Sequence, residues 1–463
     1  MDSLSISKKN LIILLSVFVA LILGIVAIFV VYNLTSDKQN AESIDKPFNI
    51  TVSLGADAAS SVDITWTTNA SSRGSYVQYV KKLSEQEDKP DFSKAECTLY
   101  EGYMEETELM FPVSGQEYEQ FPEMSASKMI IHRCFITELE ADTTYWYRVG
   151  DVNSGLWSEV NTFTTAYSSD KMSEDGFNFL LYSDSQGFIY SEMEVWKKIV
   201  ESSCAKYPDV DFMVHMGDFV ETANNALLWQ YTFNLASDEL RNNTIIPVVG
   251  NKDLNFVTKY FTVGSETDSY THNGWYSFDY EGVHFTVINS GDESNISKQQ
   301  IKWIKKDLAA ANDNLWKIVL IHKAPYSDAN HADDSDVVHI REELLELFEK
   351  YEVDVVIQGH DHYYFRSHPV ENANVTSYTM LDGNIMTGVQ SPVYFINGAA
   401  GVKQYNKTFR DMTGEIHTAY RKLLSSPSFS YCTVTETKVV FETYTVNRYT
   451  GEMELVESWG IQK

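Results

Sequence analysis

Residues 353–362 read VDVVIQGHDH, and this stretch decides the fold class of the C-terminal part of the chain. Its first six residues are mostly apolar, which is typical of a strand buried on both faces of a parallel sheet. The strand ends at Gly359 and is followed by His360 and His362. Ligands of open α/β sheets bind at the carboxyl ends of the strands, so the polar residues after each strand are site candidates.

Four earlier apolar stretches end in the same way. Asp184 and Gln186 follow FNFLLYS, Asp218 follows VDFMVHM, Asn251 follows TIIPVVG, and His322 follows KIVLI. Each residue alone has an ordinary explanation, because an Asp after a strand is usually a helix cap and a lone His is usually structural. Five strand ends in chain order that supply Asp, Asp, Asn, His and His-x-His form a much more specific pattern.

Helical patterns alternate with these strands at 191–204, 297–311 and 341–351, and a β-hairpin is predicted to turn at Glu281-Gly282. The C-terminal region is therefore predicted to be an α/β domain of αββα type. Before it, residues 62–67 alternate apolar and polar side chains, which predicts a half-buried strand. Short strands and turns continue to about Thr165 and predict an all-β sandwich, with 85–127 as a long irregular insertion.

The N-terminus carries a run of 22 residues, Leu11 to Tyr32, without a charged side chain. This length spans a bilayer core as a helix. Lys8 and Lys9 precede the run, so the positive-inside rule places the N-terminus in the cytoplasm and the remainder outside. A cleaved signal peptide is the alternative, but the run is long for one and no Ala-x-Ala site follows.

The predicted organisation has five parts. They are a cytoplasmic N-terminus at 1–10, a transmembrane anchor at 11–32, a linker at 33–46, the β domain at 47–167 and the α/β domain at 176–463. The formal net charge of −29 argues against nucleic acid as a partner. None of the four cysteines forms a Cys-x-x-Cys pair, and the sequence leaves open whether Cys97 and Cys134 form a disulfide. The oligomeric state is not predicted.

The residues at the strand ends suit metal chemistry. Carboxylate and amide oxygens together with imidazoles are ligands for Fe, Mn or Zn. Two such metals about 3.5–4 Å apart can hold both oxygens of an in-line phosphoryl displacement and activate a water. A phosphoester is therefore the expected small-molecule substrate.

The ordered set of strand-end residues resembles the calcineurin-like metallophosphoesterases. The stretches TELEADTTYWYRVGD and WSEVNTFTT resemble the fibronectin type III-like N-terminal domain of purple acid phosphatases, and GWYSFDYEGVHFTVINS and GHDHYYFRS resemble their catalytic domain. The resemblance implies a membrane-anchored, extracytoplasmic, acid-phosphatase-like hydrolase at the cell surface, in which a metal-bridging hydroxide attacks phosphorus. It also implies two metal ions, Fe, Mn or Zn.

Carried over by position, the resemblance implies one ligand set for each metal. The first metal takes Asp184, Asp218 and His362, with Gln186 as a weaker oxygen ligand, and the second takes Asp218, Asn251, His322 and His360. Asp218 is shared between the two. His331, in the loop after His322, is a candidate to face the substrate, although a surface histidine is an equally good explanation.

Two positions depart from the family pattern. Where purple acid phosphatases have the tyrosine of Gly-Asp-x-x-Tyr that gives their colour, this chain has Glu221, which would ligate the metal or only hydrogen bond nearby. Where the family has Gly-Asn-His, this chain has Lys252. Lysine keeps a positive charge for the phosphoryl group but loses a side chain that titrates near neutral pH.

Lys252 therefore separates two hypotheses. In the first, it is a catalytic residue of a working phosphoesterase. In the second, the chain is a metal-binding pseudoenzyme or a surface binding module with reduced activity, and Lys252 faces solvent. A third possibility is that the β domain binds a cell wall or a protein partner and catalysis is secondary.

Overall fold

The computed structural model describes residues 46–84, 86–262, 274–291, 296–329, 331–405 and 417–463. The predicted anchor at 11–32 lies outside these residues. No helix within the described ranges is long and apolar enough to cross a membrane. Residues Pro47–Lys463 form one compact unit.

The N-terminal part of this unit is an all-β sandwich. Its strands are β1 Phe48–Leu54, β2 Val62–Asn69, β3 Tyr76–Lys81, β4 Thr98–Glu101, β5 Tyr103–Pro112, β6 Met124–Ile136, β7 Thr144–Asp151, β8 Leu156–Trp157 and β9 Asn161–Thr164. One sheet has the order β1-β2-β6-β5, and the other has the order β4-β3-β7-β8 with β9 also paired to β7. Ile64, Trp66 and Tyr147 lie in the apolar core between the sheets. The predicted sandwich is confirmed.

Two predictions for this domain are wrong. Strand β2 is not half-buried, because its polar side chains Asp63, Thr65 and Thr67 are buried as well. The polar face packs on the α/β part of the chain, where Thr65 Oγ1 lies 2.9 Å from Thr262 Oγ1. The stretch 85–127 is not irregular either, because it contains β4, β5 and the start of β6.

Strands β5 and β6 form a hairpin that is paired from Tyr103↔Arg133 to Pro112↔Met124. The hairpin rests on the α/β part of the chain, where Leu109 and Met129 pack against Ala226. The sequence did not indicate these strands, because Glu105, Glu106 and Glu108 place carboxylates on both faces of β5.

The C-terminal part has two large mixed sheets. The first has the order β12-β11-β10-β24-β25-β26-β21-β20, and the second has the order β13-β14-β15-β16-β22-β17-β23. The strands are β10 Phe177–Tyr182, β11 Phe212–His215, β12 Ile245–Pro247, β13 Tyr276–Tyr280, β14 Val283–Ile288, β15 Trp316–Ile321, β16 Val355–Gln358, β17 Tyr364–Ser367, β18 Val370–Glu371, β19 Asn374–Val375, β20 Thr379–Leu381, β21 Ile385–Thr387, β22 Val393–Asn397, β23 Thr418–Lys422, β24 Ser428–Val434, β25 Lys438–Val446 and β26 Met453–Gln462. The hairpin predicted at Glu281-Gly282 joins β13 to β14 and is confirmed.

Helices accompany both sheets. They are α1 Tyr190–Lys206, α2 Ala226–Asn234, α3 Ser237–Leu240, α4 Val257–Tyr260, α5 Lys298–Ala310 and α6 Ser335–Lys350, with short 3-10 turns at Leu254–Phe256 and Ala311–Asp313. The apolar face predicted for 297–311 is buried at Ile301, Ile304 and Leu308. Alternation along β15 places Ile318 in one apolar core with the first sheet and Val319 in a second core with α5 and α6. This layering confirms the αββα prediction.

The parallel strands position the candidate site. Strand β10 runs parallel to β11, and β11 runs parallel to β12. In the second sheet, β14, β15, β16 and β22 are parallel neighbours. The candidate residues follow the carboxyl ends of strands in both groups, so the turns of two sheets supply one site.

The four cysteines are free, so Cys97 and Cys134 are not joined. Tyr364 and Arg366 are buried against Glu457, with 2.7 Å between Tyr364 Oη and Glu457 Oε2. These two side chains therefore belong to the packed interior rather than to a substrate pocket.

Candidate metal centre

The backbone itself indicates a built site. Asp184, Asp218 and His360 have φ angles of 53°, 55° and 69°, in the left-handed region that non-glycine residues rarely adopt. Such conformations cost free energy and persist where the surrounding structure enforces them, most often at functional sites. Here they occur at the turns after β10, β11 and β16, and they aim two carboxylates and an imidazole away from the strands.

The residues assigned to the first metal come together. His362 Nε2 lies 3.3 Å from Asp184 Oδ1. The backbone N–H of His360 donates to Asp184 Oδ2 at 3.1 Å, and the Ser183 hydroxyl donates to the same oxygen. No hydrogen bond reaches the buried Oδ1 of Asp184 from the part of the chain that the structure describes. One carboxylate oxygen is therefore held by the protein while the other remains open to a ligand.

Gln186 occupies the same pocket. Its amide nitrogen donates to the backbone carbonyl oxygens of Asp184 at 3.0 Å and Asp218 at 3.2 Å when the amide is oriented to satisfy both. The amide oxygen then faces Asp218 Oδ2 across 3.4 Å. Two oxygens that face each other without a proton between them form an arrangement that a cation stabilises.

The residues assigned to the second metal also meet. His322 Nε2 lies 3.0 Å from Asn251 Oδ1 and 3.4 Å from Asp218 Oδ1. The possible ligand atoms of Asp218, His322 and His360 all lie within 4.8 Å of one another. Because Asp218 contacts members of both sets, its carboxylate lies between the two candidate metal positions.

Second contacts fix the orientation of the imidazoles. His322 Nδ1 lies 2.7 Å from the carbonyl oxygen of Met216, and His362 Nδ1 lies 2.8 Å from the carbonyl oxygen of Lys403. A carbonyl only accepts, so each Nδ1 carries a proton, and Nε2 is the ring atom through which each histidine can bind a metal. This is the arrangement in which histidines bind metals.

Asp253 holds the Asp218 turn in place. Its carboxylate accepts the backbone N–H groups of Asp218 at 2.7 Å, Phe219 at 2.8 Å and Gly250 at 3.1 Å. Gly250 itself lies so close that an added Cβ would be 2.1 Å from the nitrogen of Asp218. The turns after β11 and β12 are thus packed directly on each other.

The electrostatics of the pocket favour a bound cation. Burial, followed by the charge of Asp184, raises the pKa of Asp218 to about 7. Burial alone would raise the pKa of Asp184 as well, but His362, His322 and the hydrogen bond from Ser183 together outweigh burial and lower the pKa. Two adjacent buried carboxylates resist ionising together, and a metal ion between them removes that cost.

Burial also keeps two imidazoles neutral. It lowers the pKa of His322, and together with neighbouring His322 and His331 it lowers the pKa of His360 well below its ordinary value. Neutral imidazole is the form that ligates metals. The donor set, its protonation and its geometry therefore all fit a binuclear site of mixed oxygen and nitrogen ligands.

His331 lies at the edge of this centre. Its ring centroid is 4.2 Å from that of His360. His331 Nδ1 lies 2.7 Å from Asp334 Oδ2, so its other ring nitrogen remains available. About 37% of the side chain is exposed, which allows it to meet a substrate.

The two departures from the family pattern contact each other. Lys252 Nζ lies 3.3 Å from Glu221 Oε1, and Lys403 forms an ion pair with the other carboxylate oxygen of Glu221. Glu221 is thus a nearly buried carboxylate held between two ammonium groups. The backbone N–H of Lys252 also donates to Asp218 Oδ1 at 2.8 Å.

Sequence reasoning did not select Lys403 as a site residue. It follows β22, the next parallel strand beyond β16, and no Asp, Asn or His directly follows that strand to mark it as a ligand position. The stretch Gly398-Ala399-Ala400-Gly401 after the strand was the available indication, because small residues permit close approach of neighbouring turns.

Comparisons with known proteins identify two matching families. Residues 47–165 match the family described as purple acid phosphatase, N-terminal domain, and residues 177–364 match the family described as calcineurin-like phosphoesterase. The chain carries a purple acid phosphatase N-terminal domain followed by a calcineurin-like phosphoesterase domain. The fold class expected from the strand-end residues and the family expected from the resemblance are both confirmed.

Individual relatives support the same family. The chain is 28% identical to Fe(3+)-Zn(2+) purple acid phosphatase 12 of Arabidopsis thaliana over 58% of this chain and 59% of that protein. It is 23% identical to acid phosphatase type 7 of Mus musculus over 60% of this chain and 65% of that protein. The matches thus span somewhat under two thirds of each of these relatives.

A solved structure shares the fold. The purple acid phosphatase from yellow lupin (Lupinus luteus) seeds superposes with a TM-score of 0.69 at 17% identity, covering 90% of this chain and 74% of that one. The coverage includes both the β sandwich and the α/β part of the chain.

Proposed function

We propose that the protein is a binuclear metal-dependent phosphoester hydrolase, with a catalytic part that lies outside the cytoplasm. The observation that carries the proposal is the convergence of seven side chains from five strand ends on one pocket. They are Asp184, Gln186, Asp218, Asn251, His322, His360 and His362. Fe, Mn or Zn fits this donor set.

Two bound metal ions would lower the pKa of a coordinated water and neutralise the phosphoryl oxygens. The protein supplies the orientation. Asp218, fixed by Asp253, would be shared between the metals. Lys252, beside Asn251, would offer an ammonium group to the negative charge on the phosphoryl oxygens.

His331 is placed to hold a proton for the leaving group. Its Nδ1 is paired with Asp334, and its ring lies against His360 at the exposed edge of the centre. A positioned imidazole that gives its proton to a departing alkoxide contributes general acid catalysis. His331 and Lys252 are therefore the proposed catalytic residues outside the metal ligands.

The pseudoenzyme hypothesis has one observation in its favour. Lys252 is already paired with Glu221, so its charge is partly neutralised before a substrate arrives. In this alternative, the protein binds metal but does not turn over phosphoesters.

The decisive experiment combines metal analysis with activity. The 463-residue chain, supplied with Mn, Fe or Zn, is expected to bind two ions and to hydrolyse members of a panel of phosphomonoesters and phosphodiesters. Asp218→Asn should lose metal and lower turnover by at least about 100-fold, whereas Asp209→Asn at an exposed position should change neither. Bound metal without turnover would favour the pseudoenzyme, and a silent Asp218→Asn would overturn both hypotheses.

We also propose that residues 11–32 anchor the chain in a membrane. The uncharged length of the run and the preceding Lys8 and Lys9 support an N-terminus in the cytoplasm. Membrane fractions washed with alkaline carbonate should retain the chain, and protease added outside intact cells should digest it. Release of a shortened chain into the medium would instead show a cleaved signal peptide and a secreted enzyme.

A further inference from the structure

The loop at 113–123, which joins β5 to β6, brings an aromatic side chain of the β sandwich to the edge of the metal centre. The ring of Phe121 meets the ring of Phe188 at a centroid distance of 5.5 Å and an interplanar angle of 68°. Phe188 follows Gln186 by two positions. The two aromatic side chains therefore come from different parts of the fold and meet beside the candidate site.

Two contacts hold the end of the hairpin that carries Phe121. Close to the loop, Met110 near the end of β5 pairs with Asn225 of the α/β part in an isolated bridge. At its tip, the side-chain oxygen of Gln116 accepts the backbone N–H of Glu123 at 2.6 Å. The hairpin is thus fixed to the α/β part close to the loop, and the loop is closed by a hydrogen bond of its own.

A continuous set of contacts links this aromatic pair to the catalytic lysine. Lys403 Nζ lies 5.2 Å from the ring centroid of Phe188, a cation–π geometry. Lys403 is paired with Glu221, which is paired with Lys252. Phe188 and Phe121 are therefore joined to Lys252 by a chain of direct side-chain contacts.

Phe121 is left open to a ligand. About 77% of its surface is exposed although its ring touches Phe188. The same loop carries Glu117 and Glu119, and these carboxylates disfavour a leaving group with further negative charge. The loop therefore offers apolar ring surface in an acidic setting.

We propose that Phe121 and Phe188 form a subsite for the leaving group, and that the preferred substrates are phosphoesters whose leaving group carries an uncharged planar aromatic ring. An aryl or nucleoside group fits this description. The inference rests on the proposed phosphoesterase function and gives the β sandwich a direct part in substrate choice.

The test uses two non-hydrolysable probes, phenylphosphonate and methylphosphonate, with calorimetry on the metal-loaded 463-residue chain. Phenylphosphonate should bind more tightly. Phe121→Ala should weaken phenylphosphonate by about three- to tenfold, as expected for one aromatic contact, and leave methylphosphonate unchanged. Tyr449→Ala, at another aromatic side chain that is 76% exposed, is the matched control and should change neither affinity.

Two results would overturn the subsite: equal affinity of the wild-type protein for both probes, or a Phe121→Ala variant that weakens neither probe or both equally. Turnover of phenyl phosphate and glycerol phosphate separates this failure from a failure of the proposed function. Hydrolysis of glycerol phosphate without any preference for phenyl phosphate would contradict the subsite proposal and leave the proposed function standing. A metal-loaded protein that binds neither phosphonate and hydrolyses neither ester removes the proposed function, and the subsite with it.

Discussion

Lys252 Nζ and Glu221 Oε1 lie 3.3 Å apart, so the two residues that depart from the family pattern form an ion pair with each other. Lys403 completes the arrangement from the opposite side of Glu221. Two positive charges and one negative charge leave a net positive charge at the rim of an otherwise acidic pocket. Relative to the family pattern, Glu221 and Lys252 together leave the rim able to bind an anion. Either residue without the other would change the net charge at the rim.

Lys252→Met should lower kcat/KM for phosphoesters by about 10- to 100-fold, because it removes a cation near the phosphoryl group while keeping the length of the side chain. Metal content should remain at the wild-type level. Lys198→Met, on the surface of α1, serves as the control and should not affect turnover. Unchanged kinetics in Lys252→Met would show that Lys252 only forms an ion pair with Glu221 and faces solvent, without contacting the substrate.

Lys252→His tests the pseudoenzyme alternative from the other direction. A working enzyme that uses the ammonium group should lose activity, since histidine is shorter and leaves Glu221 with Lys403 alone. A pseudoenzyme should instead gain turnover with the metal content unchanged. Rates measured on the same phosphoester panel distinguish these outcomes.

His331→Gln should slow the hydrolysis of alkyl phosphates more than that of aryl phosphates that carry electron-withdrawing groups. Alkoxides are poor leaving groups that need a proton, whereas activated phenolates depart without one. We expect about a 100-fold loss of kcat for the former and less than about tenfold for the latter. Equal losses for both substrates would assign His331 a binding role instead.

Asp253→Asn should weaken metal binding by about tenfold or more, because it disturbs a partner that orients a ligand. The amide group has only one oxygen, so it cannot accept the N–H groups that now reach both carboxylate oxygens. Metal titrations and thermal melts should both show the loss. Asp313→Asn, at an exposed 3-10 turn, should behave as wild type in both measurements.

His284 predicts a pH dependence of stability away from the metal centre. Burial lowers its pKa, but hydrogen bonds to Asp279 at 2.8 Å and Asp307 at 3.0 Å outweigh burial and raise the pKa to about 9. The folded pKa exceeds the unfolded value of about 6.5, so the stabilisation is complete below about pH 6.5 and is lost as the pH rises through about 9. Its size is on the order of 2 kcal/mol, reduced because Asp279 is half exposed.

Denaturant unfolding measured from pH 6 to pH 10 should show this decline in the wild-type protein. His284→Gln should flatten the profile in that window, and His339→Gln on α6 should leave it intact. A decline of the same size in His284→Gln would assign the pH dependence to other groups.

The sequence was most informative about features that are set by residues close together along the chain. A buried parallel strand must be apolar, and its carboxyl end must open into a turn, so Asp184, Asp218, Asn251, His322 and His360 could be placed at one edge of the fold from their order alone. The sandwich followed from apolar side chains that alternate with a period of two, and the helices from apolar faces with a period of 3.6 residues.

Features that depend on distant partners could not be predicted. The pairing of Glu221 with Lys403 joins residues 182 positions apart, and no local pattern indicates it. Strand β2 looked half-exposed because its polar face gives no hint that Thr65 meets Thr262. The glutamates of β5 similarly concealed a strand whose stability comes from β6 and from docking on α2.

The hydrogen bonds between the β sandwich and the α/β part bear on how the two parts of the chain evolve. Tyr147 Oη donates to the carbonyl oxygen of Arg241 at 2.7 Å, and Thr51 Oγ1 donates to that of Tyr260 at 2.6 Å. These hydrogen bonds depend on the hydroxyl groups of Tyr147 and Thr51 and on the backbone positions of their acceptors. Recombination that replaced the β sandwich with a domain from a distant lineage would remove these hydrogen bonds. The β sandwich and the α/β part are therefore expected to share a single phylogeny.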